Sequence, residues 1–156
     1  MSTFIHTRGS LLSKMLLVAT QAHTTQFDKG GNPYILHPLK VMHYLGADAH
    51  EELQCIALGH DLLEDTLVTA KYLYEMGFTD RIVEGIRALT KIPGESYDDY
   101  KAKVFANRDA VMVKMADLRH NSDLRRLKGV TEKDLNRLQR YVKFYHELSI
   151  VLSQNI

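Results

Sequence analysis

A chain of 156 residues can bury a sizeable apolar core without disulfides, and it fits a single domain spanning residues 1–156. With 45% hydrophobic residues, 25% charged residues and three prolines, its composition is that of a globular protein and excludes a disordered one. A net charge of +1 gives no global drive toward nucleic acid or an anionic membrane, and the lone Cys55 excludes an internal disulfide framework.

The same cysteine, among apolar neighbours, reads as an inert thiol in a reducing compartment, so the expected location is the cytoplasm. The opening residues lack a basic segment followed by a long apolar run, and no window reaches the ~18 apolar residues of a membrane span. Neither secretion nor anchoring is expected.

Residues 10–23 repeat Leu12, Met15, Leu16, Ala19 and Ala22 at helical spacing and predict an amphipathic helix. Residues 24–33, with Gly30-Gly31-Asn32-Pro33, break that pattern and form a loop carrying Lys29. His37-Pro38 reads as a helix entry, since proline is tolerated in a first turn; Leu39, Val41, Met42 and Leu45 then repeat on one side up to Gly46. Asp48 followed by Glu51 has the form of a capping box for a third helix, in which Leu53, Ile56, Ala57 and Leu58 lead into His60-Asp61. This helix is expected to be the most buried.

Further helices are predicted over residues 69–76, stopped by Gly77, and from Thr79 through Ile82, Val83, Ile86 and Leu89. A turn over residues 91–95 with Pro93-Gly94 separates them from a second capping pattern, Ser96 to Asp99. Residues 109–127 predict one long helix whose apolar seam of Val111, Val113, Met115 and Leu118 is interrupted by Asp117, His120 and Asn121. Thr131 and Asp134 cap a last helix with Leu135, Leu138, Val142, Tyr145, Leu148 and Leu152. No segment alternates as a half-buried strand should, so the expected fold is an all-α bundle of seven to eight helices.

Three of these helices carry metal-type ligands where apolar residues belong: His37 at a helix start, His60-Asp61, and Asp117 in a Val-Met-Ala run. A carboxylate in such a run is costly to bury unless paired or metal-bound, and imidazole with carboxylate suits a divalent transition metal. Glu64 and Asp65 follow one turn after His60 and Asp61, on shared helix faces, where they could orient a metal-bound water or move its proton. His6, His23, His43, His50 and His146 have no ligand-like company. Arg125 and Arg126 read as solvated cations late in a helix, while Arg119 is left open.

Gly31-Asn32-Pro33-Tyr34-Ile35-Leu36-His37-Pro38, the run His60 to Thr66 (His-Asp-Leu-Leu-Glu-Asp-Thr), Glu95-Ser96-Tyr97-Asp98-Asp99-Tyr100, and Lys114-Met115-Ala116-Asp117 with His120-Asn121 resemble, in order and spacing, the HD-domain phosphohydrolases. Within these they are similar to the hydrolase domain of RelA/SpoT-type enzymes and to the small alarmone hydrolases, over residues 12–127. The resemblance implies an HD-domain bundle in which His37, His60, Asp61 and Asp117 bind one Mn²⁺ per chain, Glu64 and Asp65 are catalytic, and Lys29 and Asn121 meet the nucleotide. It implies packing for Tyr97, a place for His120 beside the metal ligands, and hydrolysis of guanosine 3′,5′-bis(diphosphate). Alternatives are the same chemistry on a nucleoside monophosphate or a nicotinamide dinucleotide phosphate, and a non-catalytic nucleotide sensor. Two positions depart from the family at base recognition: Asp28 stands where an arginine is usual, and Leu124 where a threonine is usual.

Overall fold

The computed structural model describes residues 10–154, and its regular elements are helical. His6 lies outside the described residues. In chain order the elements are α1 (Ser10–Ala22), α2 (Leu36–Tyr44), α3 (Glu51–Gly59), α4 (Leu62–Asp65), α5 (Ala70–Glu75), α6 (Asp80–Leu89), α7 (Tyr97–Phe105), α8 (Arg108–Asn121) and α9 (Glu132–Gln154). Among the described residues, eight of these have six residues or more and α4 is a single four-residue turn, in keeping with the expected all-α bundle. None is long and apolar enough to cross a membrane.

Helix α3 is the central element: it packs against α1, α2, α6 and α8 and buries Leu53, Cys55, Ile56, Ala57 and Leu58. Close approach of α6 depends on Gly85, where a β-carbon would come 2.9 Å from Ile56 Cγ1. The C-terminal α9 lies along α8 and buries Phe144 and Leu148. Two expected capping boxes are present. Ser96 Oγ accepts from the Asp99 N–H at 3.0 Å, and Thr131 exchanges bonds with Asp134 through its N–H and hydroxyl.

Three expectations are corrected. Asp48 does not cap α3; His50 does, its Nδ1 accepting from the Leu53 N–H at 3.4 Å. The helix expected over residues 109–127 ends at Asn121, because Asp123 Oδ1 accepts from the Arg125 N–H at 3.1 Å and starts a 3-10 turn, Leu124–Arg126. The single helix expected to carry His60 through Asp65 is broken between α3 and α4. His60 Nδ1 takes the Ala57 carbonyl at 2.7 Å, the acceptor a continued helix would use for the Asp61 N–H. The Asp65 N–H still reaches the Asp61 carbonyl at 2.9 Å, so those two keep their one-turn relation, whereas His60 caps the end of α3 and Glu64 lies in α4.

Candidate metal centre and adjoining cavity

Helices α2, α3 and α8 meet pairwise. Their contact brings His37 from the first turn of α2, His60 from the end of α3 and Asp117 from the last turn of α8 together, all buried, with one ligand atom of each within 4.8 Å of the others. His37 Nε2 lies 3.0 Å from Asp117 Oδ1 and 3.7 Å from Asp61 Oδ2; His60 Nε2 lies 3.0 Å from Asp61 Oδ2 and 3.6 Å from Asp117 Oδ1. Two imidazole nitrogens and two carboxylate oxygens thus converge.

The tautomers fit a cation. The Ala57 carbonyl can only accept, so His60 Nδ1 carries a proton and Nε2 is the nitrogen that faces the carboxylates. No hydrogen bond closes on that buried Nε2, although carboxylate oxygens are near. A divalent ion satisfies such a nitrogen without a second proton. With no ion between the ligands, burial lowers the His60 imidazole, but Asp61, and then Asp117, hold it well above its usual value. His37 contacts His120 through the Nδ1 atoms of both rings at 2.7 Å. Burial, then Arg126 and His37, lower His120 to about 4, so its ring is neutral beside His37.

The carboxylates are held from behind. Burial would raise Asp117, yet Lys114, at 2.7 Å, and the two imidazoles hold it well below the usual range. Asn121, one turn on, donates Nδ2–H to Asp117 Oδ1 at 2.7 Å. Tyr34 donates its hydroxyl to Asp61 Oδ2 at 2.5 Å. Glu64 and Asp65 are exposed beside this cluster. Glu64 Oε1 accepts from the Lys91 N–H at 2.7 Å, and the Asp65 carboxyl is raised, by desolvation first and then by Asp61 and Glu64.

Adjoining the cluster is a cavity of about 270 Å³ lined by Lys29, Tyr34, Asn121, Leu124, Arg126, Arg137 and Tyr141, among others. Lys29 and Asn121 therefore face one space. Arg126 was read as a solvated cation, and the structure corrects that: it is mostly covered and reaches the Asp28 carboxylate at 3.4 Å, Asn121 Oδ1 at 3.3 Å and the His120 carbonyl at 3.1 Å. Arg125 is solvated, and Arg119 stacks on Tyr44, 4.0 Å from the ring centroid, off the cavity wall. Tyr97 packs against Tyr100 and Phe144.

Sequence reasoning also missed His23. It is buried, donates Nδ1–H to Gln26 Oε1 at 2.8 Å, and Gln26 in turn donates to the Asp65 carbonyl at 2.8 Å. The signal was a histidine and a glutamine three residues apart, ahead of the loop.

No protein-family model matches the chain. It is 31% identical over 152 residues to a guanosine-3′,5′-bis(diphosphate) 3′-pyrophosphohydrolase of Haemophilus influenzae, covering 86% of this chain and 22% of that protein. A protein of the same name from Aquifex aeolicus is 34% identical over 110 residues, covering 64% and 15%. A GTP pyrophosphokinase of Myxococcus xanthus is 29% identical over 142 residues, covering 82% and 18%. The chain thus spans about a fifth of the length of these curated relatives. Among solved structures, a metazoan ortholog of SpoT, described as hydrolysing ppGpp, superposes with a TM-score of 0.73 at 21% identity, covering 98% of this chain and 96% of that one.

With this fold and this constellation of histidines and aspartates, the chain is an HD-type domain. Within that class it resembles the hydrolase domain of RelA/SpoT-type enzymes.

Proposed function

We propose that the chain is a metal-dependent phosphohydrolase acting on a nucleotide, with guanosine 3′,5′-bis(diphosphate) as the leading substrate and its 3′-pyrophosphate as the group released. The observation that carries this reading is the buried Nε2 of His60, without a hydrogen bond, among the imidazole of His37 and the carboxylates of Asp61 and Asp117, next to a cavity of about 270 Å³. His37, His60, Asp61 and Asp117 would hold one divalent ion, Mn²⁺ by the family resemblance. Such an ion, when bound, acidifies water and neutralises phosphate charge.

The chain's own groups supply the rest. Glu64, fixed by the Lys91 N–H, is the proton acceptor for an attacking water, and Asp65, with its raised carboxyl, is the second carboxylate of the pair. Lys29 meets a phosphate, and Asn121, oriented by Asp117, meets the nucleotide. Cytoplasmic location remains part of the proposal, in line with the buried, unpaired Cys55. The same chemistry on another nucleotide is the second reading, favoured by Asp28 standing where the family usually has an arginine. Pyrophosphate release from guanosine 3′,5′-bis(diphosphate) with Mn²⁺, set beside nucleoside monophosphates and a nicotinamide dinucleotide phosphate, tests both. Turnover of another panel member alone would transfer the assignment to it, and binding without any turnover would leave a sensor.

A further inference from the structure

Asp28 and Arg126 come from opposite ends of the chain, 98 residues apart, and meet on the cavity wall. Asp28 is fixed by the Asn32 N–H to its Oδ1 at 2.9 Å, and Arg126 by the His120 carbonyl and Asn121 Oδ1. Both are anchored from outside the pair, while their mutual contact is long, 3.4 Å, and all the printed bonds of Arg126 run through its two Nη atoms. The loop is seated on the same turn, since a β-carbon on Gly30 would collide with the Arg126 carbonyl oxygen.

The wall therefore presents a guanidinium donor beside a carboxylate acceptor. Lys29 and Arg137 add two cations and Asp123 and Asp134 two anions, so the lining is formally balanced. The Asp28–Arg126 pair is neutral taken together, so its part of the wall suits an uncharged ring that hydrogen-bonds, with Lys29 left for a phosphate. A lactam edge, with a carbonyl beside a ring N–H as in guanine or hypoxanthine, fits: the carbonyl takes the Arg126 donor and the ring N–H meets Asp28. Adenine offers the two groups in the opposite order.

We propose that Arg126, paired with Asp28, is the specificity-determining residue of the cavity and selects a nucleotide with a lactam edge. This rests on the nucleotide reading above. Guanosine and adenosine 3′,5′-bis(diphosphate) are compared on the full chain with Mn²⁺, by KM and kcat and by equilibrium binding. The wild type is expected to prefer guanosine at least tenfold in KM. Arg126→Gln and Asp28→Asn are each expected to cut that preference about tenfold, read as the ratio of the two KM values and of the two binding constants. The exchange Asp28→Arg with Arg126→Asp re-forms the ion pair with its edge reversed, so stability is expected to return without the preference. Return of both would mean the pair only seats the loop, and would overturn the proposal. So would an unchanged preference in the single variants, or a wild type that binds both rings equally. Binding with preference but no turnover would overturn the hydrolase reading and leave this proposal standing.

Discussion

Tyr34 donates its hydroxyl to Asp61 Oδ2 at 2.5 Å, across 27 residues of chain, and so fixes the orientation of a carboxylate that faces both imidazoles. Groups that orient ligands in this way tune affinity for an ion without touching it. Tyr34→Phe is expected to weaken Mn²⁺ binding by about tenfold while leaving the helical circular dichroism unchanged. Calorimetric titration of the metal-free protein decides; equal affinity in variant and wild type would remove Tyr34 from the site.

His60→Ala deletes a buried ligand whose Nε2 has no hydrogen bond of its own, so the loss falls on ion binding more than on packing. Elemental analysis is expected to find one divalent ion per wild-type chain and close to none in the variant. Asp117→Ala should also lose the ion, and in addition leave Lys114 without its partner at 2.7 Å, costing about 3 kcal/mol of stability. Full occupancy in both variants would falsify the assignment of this cluster.

Glu64→Gln keeps an oxygen for the Lys91 N–H but loses proton-accepting power. Turnover is expected to fall by roughly 10²–10⁴-fold, with Mn²⁺ and nucleotide affinity within a few-fold of wild type. A variant as active as wild type would place the general base elsewhere.

Gly85→Ala puts a β-carbon against Ile56 at the crossing of α3 and α6, and is expected to destabilise by about 1–3 kcal/mol. Ile56→Ala leaves a hole there and is expected to cost about 3 kcal/mol. The pair combined should cost less than the sum, because the smaller side chain makes room for the new methyl. Strict additivity in urea unfolding would show that the two do not meet.

What could be read from the sequence was local. Ser96 with Asp99 and Thr131 with Asp134 are capping boxes closed within four residues, and both form. The clustering of His37, His60 and Asp117 was legible because these polar residues interrupt apolar faces. What failed depended on competition or distance. His50 beat Asp48 to a cap, and the Asp123 side chain starts a separate turn after Asn121, where one helix was expected to run on to residue 127. The place of Arg126 hung on Asp28, 98 residues earlier, a separation at which no local pattern carries information.

Helix α8 ends at Asn121, and this divides the molecule by position along the chain. His37, His60, Asp61, Glu64, Asp65 and Asp117 all precede that point, whereas Leu124, Arg126, Arg137 and Tyr141 follow it. The cavity, by contrast, draws on both stretches, because Asp28, Lys29 and Tyr34 precede Asn121 and Arg126 pairs with Asp28 across that point. A chimera joined after Asn121 should inherit its ion from the N-terminal parent but pair one parent's residue 28 with the other's residue 126, so a change of ligand by recombination would have to carry both partners of that pair.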